Sequence, residues 1–510
     1  VCSNPKPLLD ITFSAGIIDI LIKGYPLEEG DEVKVMLGDP RGNPPQMPLE
    51  AQKYPFYIAL DRDNTGIYRI IRRFPVLKVV GDYAVSFDVV AGAVQRPGEN
   101  FDLKIIAVDR HNRNPDPAYK GTVKIFSSDD RVKPFSATFT EDDKGIISVP
   151  TSLPSKGIYY FTVFDAKRGI SGISNPITTD FFGDGFKVYF GDIHGHNEFC
   201  DGRGSIDEYY QWARDVRALD FAALTNHVEG AKRYDVPDFW NVVQEKAEEY
   251  NEPGRFVTFL AFEWGSWTLF GDKCVYYLAK EAPYFPANEE ETNTPDKLWR
   301  KLKELGIEVI TIAHHPKYGG RTDWSYRDDD LQPLVEIYSM WGDSELYGEC
   351  SVQAALAMGH RLGFIASSDN HIGQPGNPGN GLAAVIAKNL TRESIFYALK
   401  ERRCYATTGS RILLDFKLNG FIMGREVKLK SKDTPRKIAV KVAGTAPIEE
   451  LSIIRNNAEI KVFRNLDRIA EIEFSDSDLL KELSYYYVRV TQEDGEKAWS
   501  SPIWVKPEEG

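Results

Sequence analysis

From residue 8 to about 180 the chain alternates apolar and polar positions in short runs, such as Ile17-Ile18-Asp19-Ile20-Leu21-Ile22, Asp102-Leu103-Lys104-Ile105-Ile106-Ala107-Val108 and Gly121-Thr122-Val123-Lys124-Ile125-Phe126, parted by Gly, Pro, Asn and Asp. Short runs bounded by turn residues predict strands of packed sheets. A break near 92–98, where Gly92, Pro97 and Gly98 fall, divides the segment into two immunoglobulin-like sandwiches, 1–95 and 96–183.

From about 186 the period changes. Strand-like runs at 187–194, 220–227, 256–264, 308–315, 334–339 and 363–369 alternate with helical stretches at 205–216, 239–250, 295–305, 351–358 and 392–402. Ser205 and Glu208 have capping-box spacing at the start of the first helix. Val309-Ile310-Thr311-Ile312-Ala313 is apolar almost throughout, as a strand buried on both faces requires. Repeated strand–helix units predict parallel pairing and a TIM-like β/α barrel over 184–412. After about 412 the β-pattern returns, at 485–490 and 503–505, and predicts a C-terminal sandwich over 413–510. The fold class expected is multidomain, a barrel flanked by all-β sandwiches.

At 510 residues the chain exceeds one ordinary core, in keeping with several domains. Hydrophobic residues at 42% and charged residues at 27% suit a water-exposed globular protein. The net charge of −13 repels polyphosphate, which makes nucleic acid a poor partner. Five cysteines lie scattered with no CxxC pair, so neither a disulfide framework nor a zinc ribbon is indicated, and a reducing compartment fits. No apolar run approaches the ~20 residues of a membrane span. Cytoplasmic location is the expectation, with a removed leader left open because numbering starts at Val1.

The chemistry lies in the histidines. Seven of eight fall between 194 and 371. His194 and His196 end the first barrel strand, His227 the second and Glu263 the third; His314 and His315 end a later one, Glu336 sits in the next, and Asp369 and His371 close the last. Side chains at the C-terminal ends of parallel strands meet at one mouth. Imidazoles and carboxylates crowded there without a cation would repel or suffer desolvation. Mixed His/Asp/Glu donors suit zinc, manganese or iron better than calcium or magnesium. A lone His-x-His is commonly an accident of packing; the full set at successive strand ends is not.

His194-Gly195-His196, Asp201-Gly202, Thr225-Asn226-His227, Glu263, Ala313-His314-His315-Pro316 and Asp369-Asn370-His371 together resemble the PHP family, named for its polymerase and histidinol-phosphatase members. The segments Tyr189-Phe190-Gly191-Asp192 and Tyr405-Ala406-Thr407-Thr408-Gly409 resemble a subgroup of it without assigned function. The resemblance covers about 186–412 and implies a distorted (β/α)7 barrel with two or three divalent ions (Mn, Zn or Fe) that hydrolyses phosphomonoesters or phosphodiesters. It implies one ion on His194, His196, Glu263 and Asp369. A second would lie on Glu263, Glu336 and either His314 or His315, with His314 preferred because it directly follows the strand. A third would lie on Asp201, His227 and His371. Asn226 departs from the family's aspartate.

The implied reaction is in-line attack on phosphorus by a metal-bridging hydroxide. Asp201 or His371 would protonate the leaving group. Of Arg203, Lys317, Arg321 and Arg411, the favoured phosphate-neutralising groups are Lys317 and Arg321, in the loop after the double histidine. Trp264, Trp267, Trp324 and Trp341 follow ligand-bearing strands and either pack loops or wall a pocket for an aromatic or sugar leaving group on a small-molecule phosphate ester. His360 reads as structural and His111 as a turn residue. The alternatives are an amidohydrolase-like carboxyl-ester or amide hydrolase, a non-catalytic glycan- or protein-binding module, and a nuclease.

Overall fold

The computed structural model describes residues 8–14, 17–24, 27, 29–30, 32–36, 47–62, 65–66, 68–71, 73–111, 113–229, 239–266, 269–314, 316–317, 321–480 and 483–508. His315 and Trp267 lie outside the described residues. The chain divides into two compact units, Val1–Leu49 and Glu50–Gly510. In the first, Leu8–Ser14 pairs antiparallel with Ile17–Lys23. All that follows concerns the second.

Two antiparallel sheets, one of four strands and one of three, lie between Ser86 and Ile173. They share one core that includes Phe87, Leu103, Ile105, Val123, Ile125, Phe161 and Val163. Strict alternation makes this possible: in Phe161–Asp165 every second residue is buried and those between are exposed. Ser86–Val90 pairs with Asn100–Val108 across the boundary expected at 95/96, so one sheet spans that point.

The central strands are β1 (Lys187–Asp192), β2 (Phe221–Ala223), β3 (Val257–Trp264), β4 (Lys273–Tyr277), β5 (Val309–Ala313), β6 (Leu334–Ser339), β7 (Gly363–Ala366), β8 (Leu382–Ala387) and β9 (Cys404–Thr407). The helices are α1 (Ile206–Gln211), α2 (Phe239–Glu249), α3 (Pro295–Glu304), α4 (Val352–Ala357) and α5 (Arg392–Lys400). β1–β2–β3 and β5–β6–β7 are parallel runs. Between them β4 is antiparallel to both neighbours, and β8 runs antiparallel to β1.

The sheet is therefore mixed, and β4 departs from the parallel pairing expected of repeated strand–helix units. Residues 265–272 link β3 to β4, and a Cβ on Gly271, at φ +74°, would meet Thr322 Cα at 2.6 Å, so the end of this link lies close against Thr322. The C-terminal extensions of β1 and β7 meet in a parallel bridge, Gly195 to Asn370, with Asp369 N donating to His194 O at 2.8 Å and His196 N to Asn370 O at 2.9 Å.

Alternate residues of the central strands enter two different cores. Val257, Phe259 and Ala261 of β3 join Cys274, Tyr276, Ile310, Ile312 and Leu334. Leu260, Phe262 and Trp264 join the apolar faces of α1, α2 and α3, including Tyr209, Val243 and Leu298. The C-terminal strands do not stand apart: Lys497–Ser500 pairs with β9 and continues the central sheet. Tyr485, Tyr487, Trp499 and Trp504 pack with Val335, Ile337 and Phe364 in one shared core. The protein is mostly β, multidomain and sparing in helix, and no described helix is long and apolar enough to cross a membrane.

Candidate metal centre

The two-residue period of a strand sets the first part of the site. Glu263 continues the row Val257, Phe259, Ala261; His314 continues Ile310, Ile312; and Glu336 follows Leu334. Each apolar row ends in a donor on the same side. The first motif is held by close packing. A Cβ on Gly195 would meet Tyr209 Oη at 2.7 Å, and one on Gly202 would meet the His196 carbonyl carbon at 2.5 Å, so both glycines are required by approach distance. Asp369 sits at φ +50°, a left-handed conformation that turns its carboxylate inward.

Three groups result, each with donor atoms within 4.8 Å of one another: His194, His196, Glu263 and Asp369; His194, His314 and Glu336; and His196, Asp201, His227 and His371. In the first, His196 Nε2 lies 2.9 Å from Asp369 Oδ1 and 3.2 Å from Glu263 Oε2, and His194 Nε2 lies 3.2 Å from the same Glu263 oxygen. In the second, His314 Nδ1 and His194 Nδ1 approach the two Glu336 oxygens at 2.7 and 3.0 Å. Glu263, expected in this group, stands 3.9 Å from His314 Nε2, and His194 takes its place. In the third, His371 Nε2 is 3.4 Å from Asp201 Oδ1, and His196 joins the expected members.

Burial of these charges has a consequence. Among the described residues Glu263 and Glu336 are neutralised by imidazoles alone. Burial opposes the charging of His194, yet Cys274, Glu336, Asp369 and Glu263 outweigh it and hold its pKa well above the ordinary value. His196 is raised in the same way against its burial, through Asp369, Cys200 and Glu263. His314 reaches about 9, with burial and His194 opposed by the carboxylates. Glu263 and Asp369 are held far below the usual carboxylate range although burial alone would raise them. Protons here do what a cation would do. A buried, nitrogen-rich donor set with interleaved carboxylates fits divalent transition ions, and these groups could hold them.

Several residues around the cluster make bonds that the sequence did not reveal. Asp192, fully buried and pushed up to about 6 by that burial, accepts from Ser368 N at 2.9 Å and Gly376 N at 2.8 Å, tying β1 to the segment beyond β7. Cys200 Sγ lies 3.0 Å from Asn226 Oδ1 and 3.3 Å from His196 Nδ1. With the thiol donating to the amide oxygen, the sulfur is left to accept from Nδ1, which turns His196 Nε2 toward Asp369. Asn226 also accepts from Asn197 N at 3.0 Å and donates to Asn197 Oδ1 at 2.8 Å. Aspartate could only accept, which explains the departure at this position. Glu229, pushed up to about 7 by burial, receives Gly265 N and Ala287 N at 3.0 and 2.9 Å, beside His227.

The other candidates fall unevenly. Arg411 is buried and donates to the carbonyls of Arg217 and Ala218, and Arg203 lies over the Tyr54 ring, so both serve packing. Lys317 lies over the Tyr347 ring at 5.9 Å, and Arg321 is exposed at φ +50°. Trp264 and Trp324 are core residues whose indoles bond to Thr292 O and Cys350 O. Trp341 alone of the described set stays half exposed, and its Nε1–H donates to Asp369 Oδ2. His360 is buried against Trp324 O at 2.8 Å, and the backbone N–H of His111 donates to Asp109 Oδ1 in a turn.

A family model described as a protein of unknown function, DUF3604, matches residues 203–357 and 377–423. That span takes in His227, Glu263, His314 and Glu336 and leaves out His194, His196, Asp201, Asp369 and His371. An uncharacterized protein of Chlamydia pneumoniae is 26% identical over 558 aligned residues, covering 99% of this chain and 87% of the relative. One of Chlamydia trachomatis is 26% identical over 542, covering 94% and 84%. Among solved structures, a two-domain protein of Bacteroides vulgatus, described as containing a predicted PHP-like metal-dependent phosphoesterase, aligns with a TM-score of 0.36 and 14% identity over 63% of this chain and 96% of its own. A β-glucuronidase of Bacteroides uniformis aligns with a TM-score of 0.15 and 8% identity over 83% and 61%.

Proposed function

We propose that this protein is a metal-dependent hydrolase of small-molecule phosphate esters, acting on monoesters or diesters. The observation that carries the reading is the convergence of His194, His196, His227, His314, His371, Asp201, Glu263, Glu336 and Asp369 into three overlapping donor groups at one sheet end. On this reading His194, His196, Glu263 and Asp369 hold one ion, His194, His314 and Glu336 a second, and Asp201, His227 and His371, with His196, a third. Bound divalent ions would supply positive charge against phosphate oxygens and make water more acidic.

The remaining work belongs to the chain. His371 and Asp201 are the exposed edge of the cluster, with side chains 29% and 56% accessible. Burial would raise the Asp201 pKa, but His371 and His227 overcome it and hold the carboxylate ionised. With only the first two ions bound, Asp201 orients His371, and His371 is the group placed to give a proton to the leaving oxygen. Lys317 and Arg321 would neutralise non-bridging oxygens from the rim. The fold reading that accompanies this function is a distorted (β/α)7 barrel of PHP type over 184–412, supported by the Gly195–Asn370 bridge, between immunoglobulin-like β-domains.

A carboxyl-ester or amide hydrolase that bridges its metals through a modified lysine finds less support. Lys273, the buried lysine of β4, extends over the Trp299 ring of α3, whereas its neighbour Cys274 joins the core on the cluster side. Chromogenic phosphomonoester, phosphodiester and carboxyl-ester substrates with added Mn²⁺ or Zn²⁺ separate the two. Hydrolysis of a phosphate ester that Asp369→Asn abolishes is the expected result. Turnover of carboxyl esters alone, or a protein free of stoichiometric metal after chelator-free purification, overturns the proposal.

A further inference from the structure

Arg217, just beyond α1, is buried, and its guanidinium bonds in two directions. Nη1 donates to Asp88 Oδ2 at 3.0 Å, on the strand Ser86–Val90, and the other oxygen of Asp88 receives Arg113 Nε at 2.9 Å. Nε and Nη2 both donate to Asn377 Oδ1, at 3.0 and 2.8 Å. From there the bonds continue through buried amides. Asn377 Nδ2 donates to Gln374 Oε1 at 3.3 Å, and Gln374 N donates to Asn370 Oδ1 at 3.1 Å. Asn370 Oδ1 also receives Ile372 N at 3.3 Å, which closes the turn that carries His371. Asn370, Gln374 and Asn377 are buried like Arg217.

Asn370 stands between Asp369 and His371, which belong to two different donor groups. His371 Nδ1 lies 3.2 Å from Asp369 O. A carbonyl only accepts, so Nδ1 carries the hydrogen, and Nε2 is left to face Asp201 at 3.4 Å. The turn thus sets the rotation of the ring, and the amides behind it set the turn. The same segment is pressed against its surroundings further on: a Cβ on Gly373 would meet Arg203 O at 2.4 Å, and one on Gly376 would meet Arg217 Cβ at 3.3 Å. A buried guanidinium is costly unless its bonds are made, and a connected polar network in a low dielectric holds one arrangement. We propose that Arg217 is a positioning residue for His371. Through Asn377 and Gln374 it fixes the turn that completes the donor group of His196, Asp201, His227 and His371, and through Asp88 it ties that group to the N-terminal sheets. The inference rests on the reading of the donor groups as metal sites.

Two variants cut the network at different points. Arg217→Met removes the guanidinium and leaves Asp88 its bond to Arg113. Asn377→Asp keeps the acceptor for Arg217 but puts an oxygen where an N–H faced Gln374, and it stands in should Arg217→Met fail to fold. His371→Ala marks the third donor group. The metal-free full chain is titrated with Mn²⁺ by calorimetry, and wild type is expected to take up one more ion than His371→Ala. In both network variants that last ion is expected to bind about tenfold more weakly, with the others held as in wild type. Amide exchange of Ile372 and Gln374, read on the metal-free protein, is expected to rise about tenfold. Wild-type affinity for every ion, or an equal loss at all of them, overturns the positioning role, because a purely structural residue acts on all sites or on none. Should wild type take up no more Mn²⁺ than His371→Ala, the metal reading of that group falls. Exchange at Ile372 and Gln374 then decides the hold on the turn: wild-type rates overturn it and faster rates sustain it.

Discussion

At Cys200 a single sulfur orients an imidazole from behind, and groups of that kind commonly change metal affinity by 10–100-fold when removed. Cys200→Ala should therefore lower Mn²⁺ or Zn²⁺ affinity by about tenfold or more, read by calorimetry, with the far-ultraviolet spectrum unchanged. The protonation of the cluster makes a second prediction. His194 and His196 are held above their ordinary value and His314 at about 9, so at neutral pH the metal-free site carries protons on all three. Coordination requires neutral imidazole, so metal uptake releases protons, and affinity falls as pH falls. Between pH 8 and 6 apparent affinity should drop by at least about tenfold per pH unit, and heats measured in buffers of different ionisation enthalpy should show net proton release. Heats independent of buffer would contradict this charge distribution. Of the residues involved, the histidines were legible in the sequence because each sits in a strand-end motif. The roles of Cys200 and Asp192 were not, because Asn226, Ser368 and Gly376 meet them only in the folded chain, and Trp341 was legible only as one of four tryptophans that follow ligand-bearing strands.

Among the elements, α1 matters most to the site because it anchors the loop that carries Asp201. Ser205 caps it by accepting from Glu208 N at 3.2 Å, and Glu208 returns the bond to Ser205 N at 3.1 Å. Ser205→Ala should cost about 1 kcal/mol of local stability. It should appear as roughly fivefold faster amide exchange over Ile206–Gln211, with exchange in β5 unaffected. The capping box was visible as a four-residue pattern, and the helix forms where that pattern stands. β4 was not, although its five residues are buried throughout. Its antiparallel direction follows from the return after Trp264 and from its pairing with both β3 and β5.

For the molecule as a whole, the C-terminal strands are built into the central sheet, and one buried acid ties them in place. Glu345, 1% accessible, accepts from Tyr487 Oη at 2.7 Å, Trp499 Nε1 at 2.8 Å and Arg489 Nη1 at 3.0 Å. Glu345→Ala would leave the Arg489 side chain without its buried partner and should cost about 3–5 kcal/mol. The expected observation is a large fall in the thermal midpoint together with exposure of Trp499 to quenchers. An unchanged midpoint would mean that the C-terminal strands hold without this acid. Double substitution with Arg489→Met should recover part of the loss, since it removes a part-buried charge that would keep only the Glu459 carboxylate as partner.

By itself the sequence determined strands β1 to β3 and β5 to β7 and the helices α1 to α5, and which side chains would stand at strand ends. Hydrophobic period and cap chemistry are local, and the residues themselves carry them. Only the tertiary structure decided how the donors divide among three groups, that His194 and His196 serve two of them, that Asn226 pins a loop, and that Ser86–Val90 and the C-terminal strands join sheets across expected boundaries. These are outcomes of pairing and close packing between distant segments. No local pattern encodes them, because the free energy that selects them exists only once both partners are in place.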